Sequence, residues 1–193
     1  MKGGFFVSCK KGKEKKAFLE LQTILNSFIS NSELQKDYCT FNVAEEIEDE
    51  LKNLRTSYFS IHFTYKSLLY VSNSSTFLSS KLFRMLKERH VLLEYVHRIF
   101  PLDHYFTYNA EYIKKLISNI DKSLTFKIEY KETFAVKNSK KEVFKTITGT
   151  LQGMKVDLKN PHYLILVQVL KNDLGITILE NFTDSFNFSR NLN

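Results

Sequence analysis

Apolar residues recur along the chain with two alternating periods, and that alternation predicts a mixed α+β protein. Gly4 to Cys9 is a short run of β-forming residues, and the polar segment Lys10 to Lys16 after it carries Gly12 as a turn residue. Ala17, Phe18, Leu21, Ile24, Leu25 and Phe28 then fall three and four apart, which places them on one face of a helix running to about Ile29. Val43, Ile47, Leu51 and Leu54 repeat that spacing with Glu45, Glu46, Glu48, Asp49 and Glu50 on the other faces, so residues 43–54 read as a strongly acidic helix. Tyr58, Phe59, Ile61, Phe63 and Tyr65, a turn at Lys66, and the run Ser67 to Ser72 predict a β-hairpin. Helical spacing returns at Phe77, Leu78, Leu82, Met85 and Leu86, and Val91 to Phe100 reads as a strand that stops at Pro101.

The order is strand, helix, inserted acidic helix, two strands, helix, strand. It is the plan of a ferredoxin-like βαββαβ unit with four antiparallel strands covered on one face, occupying residues 1–100. A second unit, residues 101–182, opens with a helix marked by Tyr112, Ile113, Leu116, Ile117 and Ile120. Thr125 to Val136 begins as a strand, and Glu142 to Leu151 is helical through Val143, Phe144 and Ile147. Tyr163 to Leu170 and Ile176 to Leu179 are apolar strands separated by Lys171 to Gly175. The tail, residues 183–193, has no period and is expected either to be loosely held or to dock through its phenylalanines.

Composition narrows the functional classes. The 193 residues are 43% apolar and hold only 6 Gly and 2 Pro, enough to bury a core and too few breakers for a low-complexity chain. Lys and Arg number 28 against 21 acids, a formal charge of +7, which favours a polyanionic partner. No apolar run is long enough to span a bilayer and the first residues do not form a signal peptide, so no membrane partner is expected and the protein is expected to be intracellular, in nucleus, nucleolus or cytoplasm. Cys9 and Cys39 are read as reduced thiols, the first in a core strand.

The glycines fall into neither GxGxxG nor GxxxxGK spacing, and the glycine turn by which acetyltransferases hold the pyrophosphate of acetyl-CoA is also missing. No cofactor, no catalytic residue and no metal site is therefore expected; His62, His90, His97, His104 and His162 are too scattered to make a ligand set. The basic segments carry more. Lys10, Lys11, Lys13, Lys15 and Lys16 lie between a strand and a helix, where free backbone N–H groups would add to the positive potential and suit a phosphate. An ordinary solvated charge run has the same pattern. Lys137, Lys140, Lys141 and Lys145 form a second basic patch, and Lys81, Arg84, Lys87, Arg89 and Arg98 a third. Three patches favour a long polyanion over a small anion. The aromatics Tyr58, Phe59, Phe63, Tyr65 and Phe77 fit base stacking or, at strand spacing, a core.

Lys155-Val156-Asp157-Leu158-Lys159-Asn160-Pro161-His162, followed by the strand Tyr163 to Leu170, resembles the Val-Asp-Leu-x-Asn-Pro signature of the THUMP domain, an RNA-binding module of tRNA- and rRNA-modifying systems. Phe126 to Lys131 and Glu142-Val143 fall where that family has a strand and the helix after it, so the resemblance covers roughly residues 105–180. Gly4 to Cys9, the Lys/Glu cluster after it, Glu45 to Glu48 and Arg98 to Pro101 look like the eukaryotic THUMP-domain adaptors that assist tRNA acetylation.

The resemblance implies a ferredoxin-like region followed by an α/β THUMP domain. It also implies a non-catalytic tRNA-binding partner of a separate ATP- and acetyl-CoA-dependent RNA cytidine acetyltransferase, which makes 4-acetylcytidine in serine and leucine tRNAs. The expected RNA contacts are Lys10, Lys11, Lys13, Lys15, Lys16, Arg98, Lys131, Lys137, Lys140, Lys141, Lys145 and Asn160, with the acidic helix 43–54 a candidate docking face for the acetyltransferase. Asn160, held extended by Pro161, is alternatively a turn residue beside the RNA site. An RNA-modifying enzyme acting alone, or a basic protein-interaction module, are the other readings.

Overall fold

A computed structural model describes residues 2–34, 58–133, 139–170 and 172–189, so the expected acidic helix 43–54, Cys39 and Lys137 lie outside the described residues. The described chain divides into two compact units, one made of Leu102–Ser185 and the other of Lys2–Pro101 with the residues from Phe186 onward.

The N-terminal unit runs β1 (Lys2–Cys9), α1 (Glu14–Leu34), β2 (Phe59–Tyr65), β3 (Leu68–Asn73), α2 (Ser79–Glu88) and the beginning of β4 (Val96–Thr107). The strand order β2-β3-β1-β4 is that of a ferredoxin-like βαββαβ unit. β3 pairs antiparallel with β1, setting Phe5 opposite Val71 and Val7 opposite Leu69, and antiparallel with β2. The hairpin between β2 and β3 turns on two residues of positive φ, Lys66 (34°) and Ser67 (71°). A two-residue turn with both centres in this region matches the twist of the flanking strands. α1 buries Ala17, Leu21, Leu25 and Phe28, in the stripe its spacing predicts. α2 buries Leu82 and Leu86 of the expected stripe together with Phe83, which the spacing does not mark, while Phe77 and Leu78 precede the helix and Leu78 is exposed.

Cys9 is buried, and burial, with the Glu14 carboxylate adding to it, pushes its thiol up to about 11. It is a small core residue that stays protonated at neutral pH.

β4 departs from the sequence reading. Residues 91–95 form a loop, and the strand runs from Val96 through Pro101 to Thr107 instead of stopping at the proline. Pro101 precedes the stretch His104–Thr107 that pairs with the C-terminal strand, so its missing N–H breaks no bond of that ladder.

The C-terminal unit continues with α3 (Ala110–Ile117), β5 (Thr125–Thr133), α4 (Ser139–Thr150), β6 (Lys155–Val156), β7 (Tyr163–Leu170) and β8 (Asp173–Glu180), in the strand order β4-β8-β7-β5-β6. Asn109 starts α3 by accepting the Tyr112 N–H at 3.0 Å. β5 and β7 are parallel, from Phe126 opposite Tyr163 to Thr133 opposite Leu170, with α4 in the crossover. β7 and β8 are antiparallel from Tyr163–Glu180 to Leu170–Asp173, so the connection between them is two residues long and Gly175 lies inside a strand. That corrects the expected Lys171 to Gly175 spacer. The position suits glycine, because a Cβ there would come within 2.6 Å of Leu102 Cδ1. Ile165, Val167 and Val169 of β7 pack with Ile113 and Ile117 of α3 and Val143 and Ile147 of α4. Leu164, Leu166 and Leu170 are buried too, so β7 is apolar on both faces, as a central strand with a parallel neighbour requires.

The tail docks through its phenylalanines. Phe186 and Phe188 are buried in the N-terminal unit, with ring centroids 5.6 and 5.7 Å from Phe83, and Phe186 also lies 4.8 Å from Phe100. Backbone bonds hold them: Phe188 N–H donates to His97 O at 2.8 Å, and Leu93 N–H and Ile99 N–H donate to the carbonyls of Phe188 and Phe186. Among the described residues no helix is long and apolar enough to cross a membrane.

Candidate nucleic-acid interface

The first basic cluster is organised around a residue that sequence reasoning does not single out. Tyr95 lies in the loop between α2 and β4, and Lys10 Nζ and Lys16 Nζ sit 5.7 and 5.3 Å from the centre of its ring. Lys10 comes from the turn after β1, Lys16 from the first turns of α1. The loop is tied down at both ends of the peptide unit: Lys10 N–H donates to Tyr95 O at 2.9 Å, and the Glu20 carboxylate accepts the N–H groups of Glu94 and Tyr95 at 2.5 and 2.9 Å. Charge-assisted bonds of this kind are among the stronger local contacts. Replacing Glu20 by Ala is expected to cost about 1.5 kcal/mol of stability and to loosen the Tyr95 loop, checked by thermal melting and by faster amide exchange at Glu94 and Tyr95.

Lys11, Lys13 and Lys15 are exposed around this pair. Two of the backbone amides in this segment, those of Gly12 and Glu14, are turned to a carboxylate of the protein itself. Glu14, in the first turn of α1, accepts the N–H groups of Gly12 and Ser67 at 3.2 and 3.0 Å, and these bonds with that of its own amide hold its carboxyl below the usual carboxylate range.

Arg98, on β4, is exposed and has a different setting: its Nε donates to Asn187 Oδ1 at 2.9 Å, and Lys87 Nζ donates to Asn187 O at 3.0 Å while lying 4.3 Å from the Phe188 ring centre. One tail residue therefore fixes two cations of the third patch.

In the C-terminal unit Lys140 Nζ lies 5.6 and 5.8 Å from the ring centres of Tyr130 and Phe144, and Lys141 is exposed beside it at the start of α4. Lys131 is half-buried near the end of β5, opposite Gln168. Lys145 lines a cleft between α3 and α4 together with Lys114 and Lys115. These last two were not expected. Their signal was a lysine doublet beside the buried Ile113 and Ile117 of an amphipathic helix, easily read as a solvated face.

Asn160 is exposed in the turn after β6, and the acceptor that shapes this turn is Asp157. The Asp157 carboxylate accepts the N–H groups of Asn160 and Lys159 at 3.0 and 2.9 Å, which lowers its pKa, while its own N–H donates to Phe126 O at 3.0 Å. The side chain of Asn160 is thereby left at the surface. Of the aromatics considered for stacking, Phe59 is core and Tyr65 is exposed on the edge strand β2.

The fold and these basic, aromatic-backed surfaces define an α+β protein suited to a polyanion. Residues 108–179 match the family model described as THUMP domain. No curated protein matches the chain in sequence. Among solved structures it is similar to the crystal structure of PH1313 from Pyrococcus horikoshii Ot3, with 15% identity, 93% of this chain and 56% of that chain covered, and a TM-score of 0.51. It is also similar to the crystal structure of TrmN from Thermus thermophilus, with 12% identity, 97% and 47% coverage and a TM-score of 0.47. A crystal structure of a 4-thiouridine synthetase–RNA complex with bound ATP gives 15% identity, 93% and 41% coverage and a TM-score of 0.46. The chain spans about half the length of the structures it matches. At this identity the first of these likenesses shows the fold alone.

Proposed function

We propose that this chain binds tRNA and acts as a non-catalytic adaptor, presenting serine and leucine tRNAs to a separate ATP- and acetyl-CoA-dependent acetyltransferase that forms 4-acetylcytidine. The observation that carries the tRNA part is the THUMP domain at residues 108–179 in a chain of charge +7, with lysines held on aromatic rings in both units. A THUMP domain is an RNA-binding module, and a phosphate-directed surface needs cations rather than a reactive side chain. The adaptor part rests on the resemblance of Gly4 to Cys9 and Arg98 to Pro101 to acetylation adaptors.

The test is binding of the purified chain to intact tRNA, to the same tRNA without its single-stranded acceptor end, and to duplex DNA, each across a salt series. Preference for intact tRNA, with log affinity falling linearly as log salt rises, is the expected result. Equal weak binding to all three overturns the tRNA reading. Acetylation of tRNA by the acetyltransferase that increases when the chain is added supports the adaptor role, and stoichiometric acetyl-CoA or S-adenosylmethionine on the chain itself sinks it in favour of an enzyme.

A further inference from the structure

The cleft between α3 and α4 has a volume of about 780 Å³ and lies entirely within the C-terminal unit. α3 lines it with Glu111, Lys114 and Lys115, Ser118 follows at the C-terminal end of that helix, and α4 adds Lys145, Thr146 and Gly149. Lys114 and Ser118, like Lys145 and Gly149, are four residues apart and so stack one turn above the other along their helices. The large apolar residues of both helices, Ile113, Ile117, Val143 and Ile147, are buried elsewhere in the core, so the cleft offers ammonium and hydroxyl groups and the Glu111 carboxylate over the short apolar surface of Ala110, the lysine stems and the threonine methyls.

Gly149 is the telling position. It lies in the last turn of α4, its φ is not positive, and a Cβ added to it would meet nothing within 4 Å. Neither strain nor crowding requires glycine there, and in a helix glycine costs stability relative to alanine. What its bare backbone does is leave the cleft open beside three lysines. Lys114 shares its charge with Glu111 at 2.7 Å, an exposed pair that contributes little and exchanges readily for a stronger anion.

We infer that this cleft is a binding site for the phosphodiester backbone of RNA, a contact additional to the lysine–aromatic surfaces and resting on the proposed tRNA-binding role. The chemistry favours a nucleic-acid backbone over an acidic protein segment. A docked peptide needs an aromatic, arginine or large aliphatic anchor, and the cleft lining has none. Lysine ammonium groups and hydroxyls around an open backbone suit phosphates, which position an RNA without reading its sequence.

The experiment compares the full chain, the double variant Lys115→Gln/Lys145→Gln, and Gly149→Leu, which fills the cleft with a better helix former. Each is measured for tRNA affinity across salt, for binding of a poly-glutamate peptide, and for thermal melting. The expected result is an affinity loss on the order of 10-fold in the double variant, with its log–log salt slope smaller by about 2, and weaker tRNA binding by a Gly149→Leu chain that melts no lower than wild type. Salt-dependent tRNA binding by wild type that both variants retain overturns the cleft while leaving the tRNA-binding role intact. Absence of such binding in wild type overturns the role itself. Unchanged tRNA affinity together with loss of poly-glutamate binding in the double variant overturns the inference in favour of an acidic protein segment.

Discussion

Replacing Phe188 by Ala is expected to destabilise the N-terminal unit by about 3–5 kcal/mol, the usual cost of emptying a buried phenylalanine site. Phe188 is 2% exposed, its ring meets Phe83 edge-on at 5.7 Å, and Lys87 Nζ lies 4.3 Å from its ring centre. Domains of this size have a total stability of about 5–15 kcal/mol, so the loss removes a large share of it. Denaturant unfolding should show the loss as a lower midpoint with a similar slope. Asn187→Ala next to it separates packing from charge placement. It removes the acceptor for Arg98 Nε but leaves both rings in place, so the midpoint should move far less. A Phe188→Ala chain that unfolds at the wild-type midpoint would show that the tail only lies on the surface.

The second large effect is expected from reversing charge at the Tyr95 platform. Lys10→Glu/Lys16→Glu replaces two cations held 5.7 and 5.3 Å from one ring centre by two anions. Each lysine that neutralises a phosphate contributes about one unit to the log–log salt slope, so the double variant should lose about 2 units of slope and on the order of 10-fold or more in tRNA affinity at moderate salt. Stability should change little, since both side chains are at the surface. A Tyr95→Leu chain tests the ring itself. It keeps the lysines but not the electron-rich face that attracts them. An unchanged slope in the charge-reversed chain would place the RNA elsewhere on the molecule.

Much of the architecture is written in local periods. The stripe Ala17, Leu21, Leu25, Phe28 and the continuous apolar run of β7 are each decided by which faces are buried, and they hold in the structure, whereas the alternation in β2 buries only Phe59 and leaves Ile61 and Tyr65 exposed on an edge strand. The failures are non-local. Pro101 looks like a strand end because proline cannot donate a ladder bond, and only the pairing of His104–Thr107 with β8 shows that the strand continues beyond it. Gly175 looks like a turn residue, but its lack of a side chain serves the approach of Leu102. The tail has two alternating phenylalanines and no period, because an element that pairs over so few residues has none to show.

The same division applies to the interface. Runs of lysine are visible in one dimension, so Lys10 to Lys16 and Lys140 to Lys145 stand out. Tyr95 does not, since its partnership with Lys10 and Lys16 is made by the Glu20 carboxylate gripping a loop far away in sequence.

The docking of the tail also has a temporal side. Lys87 and the tail's Asn187 are 100 residues apart, and the whole C-terminal unit is made by the ribosome between them. Domains usually fold in the order in which they emerge. Here the first half to emerge is the one that must wait, with Phe83 and Phe100 uncovered until Phe186 and Phe188 arrive to close the long loop. Nascent chains halted before Phe186 should therefore hold a folded C-terminal unit and an incomplete N-terminal one that is vulnerable to proteases and attractive to chaperones.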